Sequence, residues 1–247
     1  MIQIINLVKT FHGQTVLDGI NLEMPTGKIT VVIGKSGVGK SVLLKHIVGL
    51  LHPDSGQILV DGEDIVQFKG RKLRDFRRRL AVLFQGGALF DSLSVFENIA
   101  FPLREKTRLP EDEIAARVRE RLAQMSLTEE VETKFPDELS GGMKKRVALA
   151  RAMIQEPEIM FFDEPVTGLD PPMTNTVFHL ITKTHEASGY TALMVSHDIP
   201  EVFSVAHQVA MLHKGRIIAA GPPEEIQSHP DPVVQSFIRG EVDFLEA

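Results

Sequence analysis

Gly34-Lys35-Ser36-Gly37-Val38-Gly39-Lys40-Ser41 places three glycines, a lysine and a hydroxyl in the spacing Gly-x-x-x-x-Gly-Lys-Ser. Gly34, Gly37 and Gly39 let the backbone N–H groups around Ser36 and Val38 turn inward on an anion. A helix starting there adds the positive end of its dipole. Lys40 can reach the β- and γ-phosphates of a nucleotide, and Ser41 can hold Mg²⁺. A second string, Ile159-Met160-Phe161-Phe162-Asp163-Glu164, delivers two carboxylates at the end of an apolar run. Asp163 suits Mg²⁺ bound through water, because Mg²⁺ keeps several waters. Glu164 suits a general base acting on an attacking water. Two acids at a strand end are common in isolation. Beside a phosphate loop they read as the hydrolytic half of an ATP site.

Two more polar residues end apolar runs. Gln85 follows Leu80 to Phe84 and can place its amide oxygen near Mg²⁺ and the attacking water; alone it reads as a polar strand terminus. His197, in Val195-Ser196-His197-Asp198, can contact the γ-phosphate. Asp198 and Glu201 resemble a capping box for a following helix, a structural role. Ser140-Gly141-Gly142 opens a helix with exposed N–H groups and a hydroxyl, either a second anion-binding helix end or a glycine hinge. Two phosphate sites so far apart in one chain require an explanation.

The elements that must position these residues follow from periodicity. Residues 2 to 8 and 20 to 24 alternate like strands. Ile29 to Ile33 is a continuous apolar strand of the kind buried on both faces of a sheet, and it runs into the glycine loop. Leu43, Leu44, Ile47, Val48 and Leu51 follow at helical spacing. A strand and turn are expected at 58–62, a basic helix at 71–79 and a strand at 80–84. Residues 88 to 156 read as mostly helical, with one helix starting at Pro110 and another at Gly141-Gly142. Strands 159–162 and 191–195, a helix 173–186, a hairpin of 209–212 with 217–220, and short helices after Pro223 and Pro232 complete the chain. Strands alternating with helices argue for an α/β fold with a parallel core.

Composition bounds the rest. The 247 residues suffice for one large domain, and the 43% hydrophobic and 24% charged content is that of an ordinary globular chain. A net charge of −6 gives no general grip on nucleic acid. The absence of cysteine excludes disulfides and thiolate metal sites and fits a cytosolic protein. No apolar run approaches the roughly 18 residues that span a bilayer. The N-terminus carries no secretion signal, so any membrane role is expected to come through a partner.

Taken in order and spacing, these motifs resemble the nucleotide-binding subunits of ABC transporters over essentially the whole length. The resemblance covers the 34–41 loop, Gln85, Leu139-Ser140-Gly141-Gly142-Met143, the 159–164 strand, Gly168-Leu169-Asp170 and His197. It implies a P-loop NTPase (RecA-like) core with a mainly parallel sheet, an N-terminal antiparallel β region and an inserted α-helical subdomain. The core would comprise 1–87 and 157–247, the helical signature subdomain 88–156. It further implies that Phe11 stacks on adenine and that Asp170 belongs to the nucleotide-contacting machinery. Two copies would pair head to tail, each ATP lying between one chain's 34–41 loop and the other chain's Ser140 and Gly142.

Met143 stands where most signatures have glutamine. Met143-Lys144-Lys145-Arg146, Leu83 to Phe90, Val95 to Asn98 and Phe101 to Glu105 look like the ATPases of Mla-type lipid transporters. That subgroup implies phospholipid cargo, a separate membrane permease docking near 86–103, an Mce-domain partner, and a place on the cytoplasmic face of a bacterial inner membrane. Phe90, Leu93, Val95 and Phe96 can form the permease groove or simply subdomain core. The run Arg71, Lys72, Arg74, Arg77, Arg78 and Arg79 reads as a solvated helix face ahead of a lipid-binding one. Another cargo, such as an amino acid or a metal complex, fits the same motor. A soluble ABC ATPase would carry coiled-coil inserts or a second ATPase domain, and a P-loop kinase would lack residues 139–143.

Overall fold

The computed structural model describes residues 1–241; residues 242–247, counted above with the core, lie outside it. The chain runs β1 Ile2–Phe11, β2 Gln14–Met24, β3 Ile29–Ile33, α1 Lys40–Ile47, β4 Ser55–Val60, β5 Glu63–Asp64, α2 Gly70–Arg78 and β6 Leu80–Leu83. It continues α3 Val95–Lys106, α4 Glu111–Gln124, α5 Gly141–Met153, β7 Ile159–Asp163, α6 Pro171–Ser188, β8 Thr191–Ser196, β9 Gln208–His213, β10 Arg216–Gly221, α7 Pro223–Gln227 and α8 Pro232–Ile238. Two compact units result: Met1–Leu80 with the described part of Gly189–Ala247, and Ala81–Ser188.

The first unit holds an antiparallel sheet in the order β2-β1-β4-β5 and the strands β10-β9-β3-β8 of a mixed sheet. β3 lies parallel to both β8 and β9, whereas β10 turns back antiparallel on β9. Every residue of β3 and β8 is buried, the polar Thr30, Thr191 and Ser196 included, as in strands covered on both faces. β1 and β2 extend well beyond the alternating segments 2–8 and 20–24. They meet in a two-residue turn whose residues His12 and Gly13 both have positive φ, the geometry that matches strand twist. Register shifts after Ile4, Leu7 and Lys9 break the alternation there. α2 buries only Phe76, and its cations are tied into the surface. Lys72 pairs with Glu63 at 2.8 Å, Arg79 with Asp61 at 2.7 Å, and Arg77 donates to the Gly49 carbonyl at 2.6 Å.

In the second unit β7 neighbours β6 amid four helices. α3 starts with a full capping box, Ser94 with Glu97. α4 buries Ile114, Val118 and Leu122 on the face its spacing marks, with Pro110 as its N-cap rather than its first residue. Strand β6 stops at Leu83, so Gln85 lies in the turn beyond the sheet and not at a strand end. The helical turn after Asp198 is a short 3-10 turn, Glu201–Ser204, with Pro200 at its N-cap and no side-chain cap. The expected Asp198–Glu201 capping box is therefore absent: Asp198 accepts instead from the Ser196 hydroxyl at 2.9 Å.

Candidate active site

In the first unit the parallel register pairs Ile33 with Ser196. The phosphate loop and His197 thus leave neighbouring strands at the same carboxyl edge, where ligands of open α/β sheets bind. Gly34 leaves β3 so close to β9 that an added Cβ would strike the Leu212 carbonyl oxygen. Gly39, the N-cap of α1, has φ 108°, and an added Cβ would stand 3.1 Å from Val16 and Leu17. No side chain caps α1, at the end where helix N–H groups lack intrahelical partners. Lys40 is buried, 4% exposed. Its Nζ donates to the carbonyls of Gly34 at 2.8 Å and Lys35 at 2.9 Å, which holds the ammonium across the loop.

His197 and the loop residues Lys35 and Ser36 line one cleft of about 640 Å³. The turn bearing His197 is pinned by the Ser196–Asp198 pair, since the Asp198 N–H also donates to Ser196 Oγ at 3.1 Å. Phe237 to Glu241 line the same cleft. The sequence carries no local signal for that, because the segment lies forty residues beyond His197. Phe11 ends β1 at the hairpin, with Lys9 Nζ 5.3 Å from its ring centre.

In the second unit β7 delivers Asp163 as its last residue, and Glu164 follows at φ 48°, left-handed for a residue with a side chain. Such a conformation costs about 1–3 kcal/mol and clusters at functional sites. Thr167 Oγ1 donates to Glu164 Oε2 at 3.2 Å and helps fix the carboxylate. Neither the backbone strain nor Thr167 was legible from the string. Asp170 caps α6, its Oδ1 accepting from the Met173 N–H at 2.8 Å.

Ser140 is the N-cap of α5, with Oγ accepting from the Met143 N–H at 3.3 Å. Its own O–H remains a donor with a lone pair to spare. Gly141 is exposed, but Gly142 is buried, and a Cβ there would fall on Met173 Sδ. A side chain at 142 would thus require the flexible end of Met173 to move. Gln85 is exposed, and its carbonyl is held by the Nζ of Lys145 on α5, a contact the sequence reading missed.

Ser41 in the first unit offers a hydroxyl, and Gln85 and Asp163 in the second offer an amide and a carboxylate, each a hard oxygen donor of the kind Mg²⁺ takes. Among the described residues no cluster of three or more His, Cys, Asp or Glu side chains is placed to hold a metal ion.

Of the four residues weighed as a permease groove, Val95 is fully buried core and unavailable. Phe90 is 44% exposed and packs at 4.9 Å, tilted by 57°, against Phe101, itself 39% exposed; Phe84 is exposed as well. The fully buried Asn98 shapes this segment, with bonds to Phe90, Leu93 and Ser94 main-chain groups at 2.8–3.0 Å.

Comparison with known proteins shows the family. The ABC transporter family profile matches residues 17–167. The chain is 42% identical over 243 residues to the intermembrane phospholipid transport system ATP-binding protein MlaF of Haemophilus influenzae, covering 98% of this chain and 92% of that one. It is 43% identical over 234 residues to MlaF of Escherichia coli, covering 95% and 87%. A probable ribonucleotide transport ATP-binding protein, mkl of Mycobacterium bovis, is 41% identical over 97% of this chain and 66% of its own length. Among solved structures, cbiO1 from Clostridium perfringens superposes with a TM-score of 0.84 at 32% identity, covering 96% and 94%. The cassette MJ0796, in a dimeric post-hydrolysis state with ADP and phosphate, gives 0.82 at 30% identity, covering 90% and 99%. The protein is an ATP-hydrolysing subunit of the ABC transporter family. Within that class its curated relatives include the phospholipid-transport ATPases at 42–43% identity.

Proposed function

We propose that the chain is the ATPase of a phospholipid transporter, and that two copies share each ATP. The observation that carries the cargo is the near-full-length likeness to the two MlaF proteins. Sharing is supported by a phosphate loop and a Ser140-capped helix end on one chain, and by the dimeric state of the MJ0796 relative.

Glu164 draws the proton of the water that attacks the γ-phosphorus in line, opposite the leaving ADP oxygen. Lys40 neutralises charge gathering on the phosphate oxygens, and His197 holds the γ-phosphate toward that water. Ser41, Gln85 and Asp163 are the oxygen donors that would hold Mg²⁺, which when bound supplies further charge neutralisation on the phosphates. Phe11 offers its ring to adenine, and the N–H groups of Ser36, Gly37, Val38 and Gly39 take phosphate oxygens. From the second copy, Ser140, Gly141 and Gly142 contribute the other phosphate contacts, with Asp170 at the same interface.

Residues 1–87 and 157–247 act as the catalytic core and 88–156 as the signature subdomain. The exposed Phe90–Phe101 pair within 86–103 receives an integral-membrane permease. An Mce-domain lipid-binding protein completes the assembly on the cytoplasmic face of the bacterial inner membrane. Among the described residues no helix is long and apolar enough to cross a membrane, so attachment falls to the permease. The likeness to mkl supports ribonucleotide as a second cargo reading. The two separate when the chain is purified with its permease and reconstituted in vesicles. ATP-dependent movement of labelled phospholipid is expected; movement of ribonucleotide without lipid would overturn the cargo.

A further inference from the structure

Two of the basic side chains of helix α5 reach one loop, and the chemistry above uses neither. Lys145 is 7% exposed, and its Nζ donates to the Gln85 carbonyl. Six residues on, Arg151 donates through Nη1 to the Ala88 carbonyl and through Nη2 to the Gly87 carbonyl, both at 2.8 Å. Residues 145, 148 and 151 span about 120° of the helix circumference, so the small Ala148 lies between the two cations. A Cβ built on Gly87 would stand 3.3 Å from Ala148 Cβ. The loop therefore lies down on α5, with three of its carbonyls captured.

That loop needs holding. Gly87 and Ala88 both turn left-handed, at φ 74° and 50°, and alanine adopts that conformation only where its surroundings over-determine it. Burial lowers the Arg151 pKa, and main-chain carbonyls, not an acid, satisfy its guanidinium. The same guanidinium lies 5.7 Å from the Phe90 ring centre, and Phe90 packs against Phe101. α5 itself begins at the Ser140 cap. One helix thus carries the signature at its first turn, the Gln85 loop along its flank and the aromatic patch beside its far end.

We propose that Lys145 and Arg151 are positioning residues that lock the Gln85–Ala88 loop to the signature helix, so that loop, aromatic patch and Ser140 move as one body. Lys145 acts through Gln85 on the hydrolytic step. Arg151 acts through Phe90 on the permease. Moving the loop relative to α5 requires breaking charge-assisted bonds that are stronger than neutral ones. The second half of this proposal rests on the transport reading above; the first half needs only ATP hydrolysis.

The test uses the chain assembled with its permease in phosphatidylethanolamine–phosphatidylglycerol vesicles, with hydrolysis and labelled-lipid movement measured together. Lys145→Met is expected to lower kcat about tenfold at unchanged KM for ATP, and Lys145→Arg to restore most of it. Arg151→Lys, which keeps the charge but not the two-pronged grip, is expected to hold hydrolysis within about twofold while lipid moved per ATP falls severalfold. Lys145→Met with wild-type kinetics, or with kcat lost only in step with melting temperature and no rescue by arginine, overturns the first half. Unchanged lipid per ATP in Arg151→Lys overturns the second. If the wild type moves no lipid, the transport reading fails, while the kcat split at Lys145 still decides the first half.

Discussion

Lys40 is held across the phosphate loop by the Gly34 and Lys35 carbonyls, which fixes where its ammonium stands. Lys40→Ala should lower ATP hydrolysis by at least about 10²-fold, measured as phosphate release by the permease complex. Gly142 tests packing at the same scale. Gly142→Ala pushes a methyl against the flexible end of Met173, which must shift, and should destabilise the fold by about 1 kcal/mol in urea denaturation. Met173→Ala makes room, so the double variant should regain part of that loss, a non-additivity that distant sites do not show. The strings around Lys40, Glu164, Ser140 and His197 were legible because each is contiguous and its chemistry depends on local spacing. Lys145 and Arg151 were not. Their partners are main-chain carbonyls some sixty residues away, and any residue type at 85, 87 and 88 presents a carbonyl.

Elements were read best where one periodicity governs them. β3, β8, α4 and the β9–β10 hairpin fall within a residue or two of their expected bounds. β1 and β2 were cut short because their register shifts scramble the alternation. The Asp198–Glu201 spacing does not make a box because the turn starts only at Glu201, with Pro200 and not Asp198 at its N-cap. The Ser94–Glu97 box is the counter-case, where the same spacing precedes a true twelve-residue helix. There the Ser94 N–H bond at 2.8 Å holds the Glu97 carboxyl below the ordinary carboxylate range. A depressed folded pKa contributes stability above the unfolded value and loses it as pH falls through the folded one. Glu97→Ala should therefore lower Tm at neutral pH. The gap to wild type should narrow as pH drops below the usual carboxylate range, measured by thermal melts across pH.

At the scale of the whole molecule the central claim is that one chain supplies two different halves of two different sites. The phosphate loop with His197 and the Ser140 helix end each present anion-binding groups, yet each is only part of what hydrolysis requires. This was legible from the sequence only through family likeness, because nothing in a string states that its partner is a second copy of itself. Glu164→Gln keeps the side chain's shape and removes the base, so it should bind ATP and stall before hydrolysis. The direct measurement is sedimentation velocity of Glu164→Gln with saturating ATP and Mg²⁺. The account predicts a shift from one-copy to two-copy mass, reversed when Ser140→Arg is added. A one-copy boundary under those conditions, or a dimer that ignores Ser140→Arg, would contradict it.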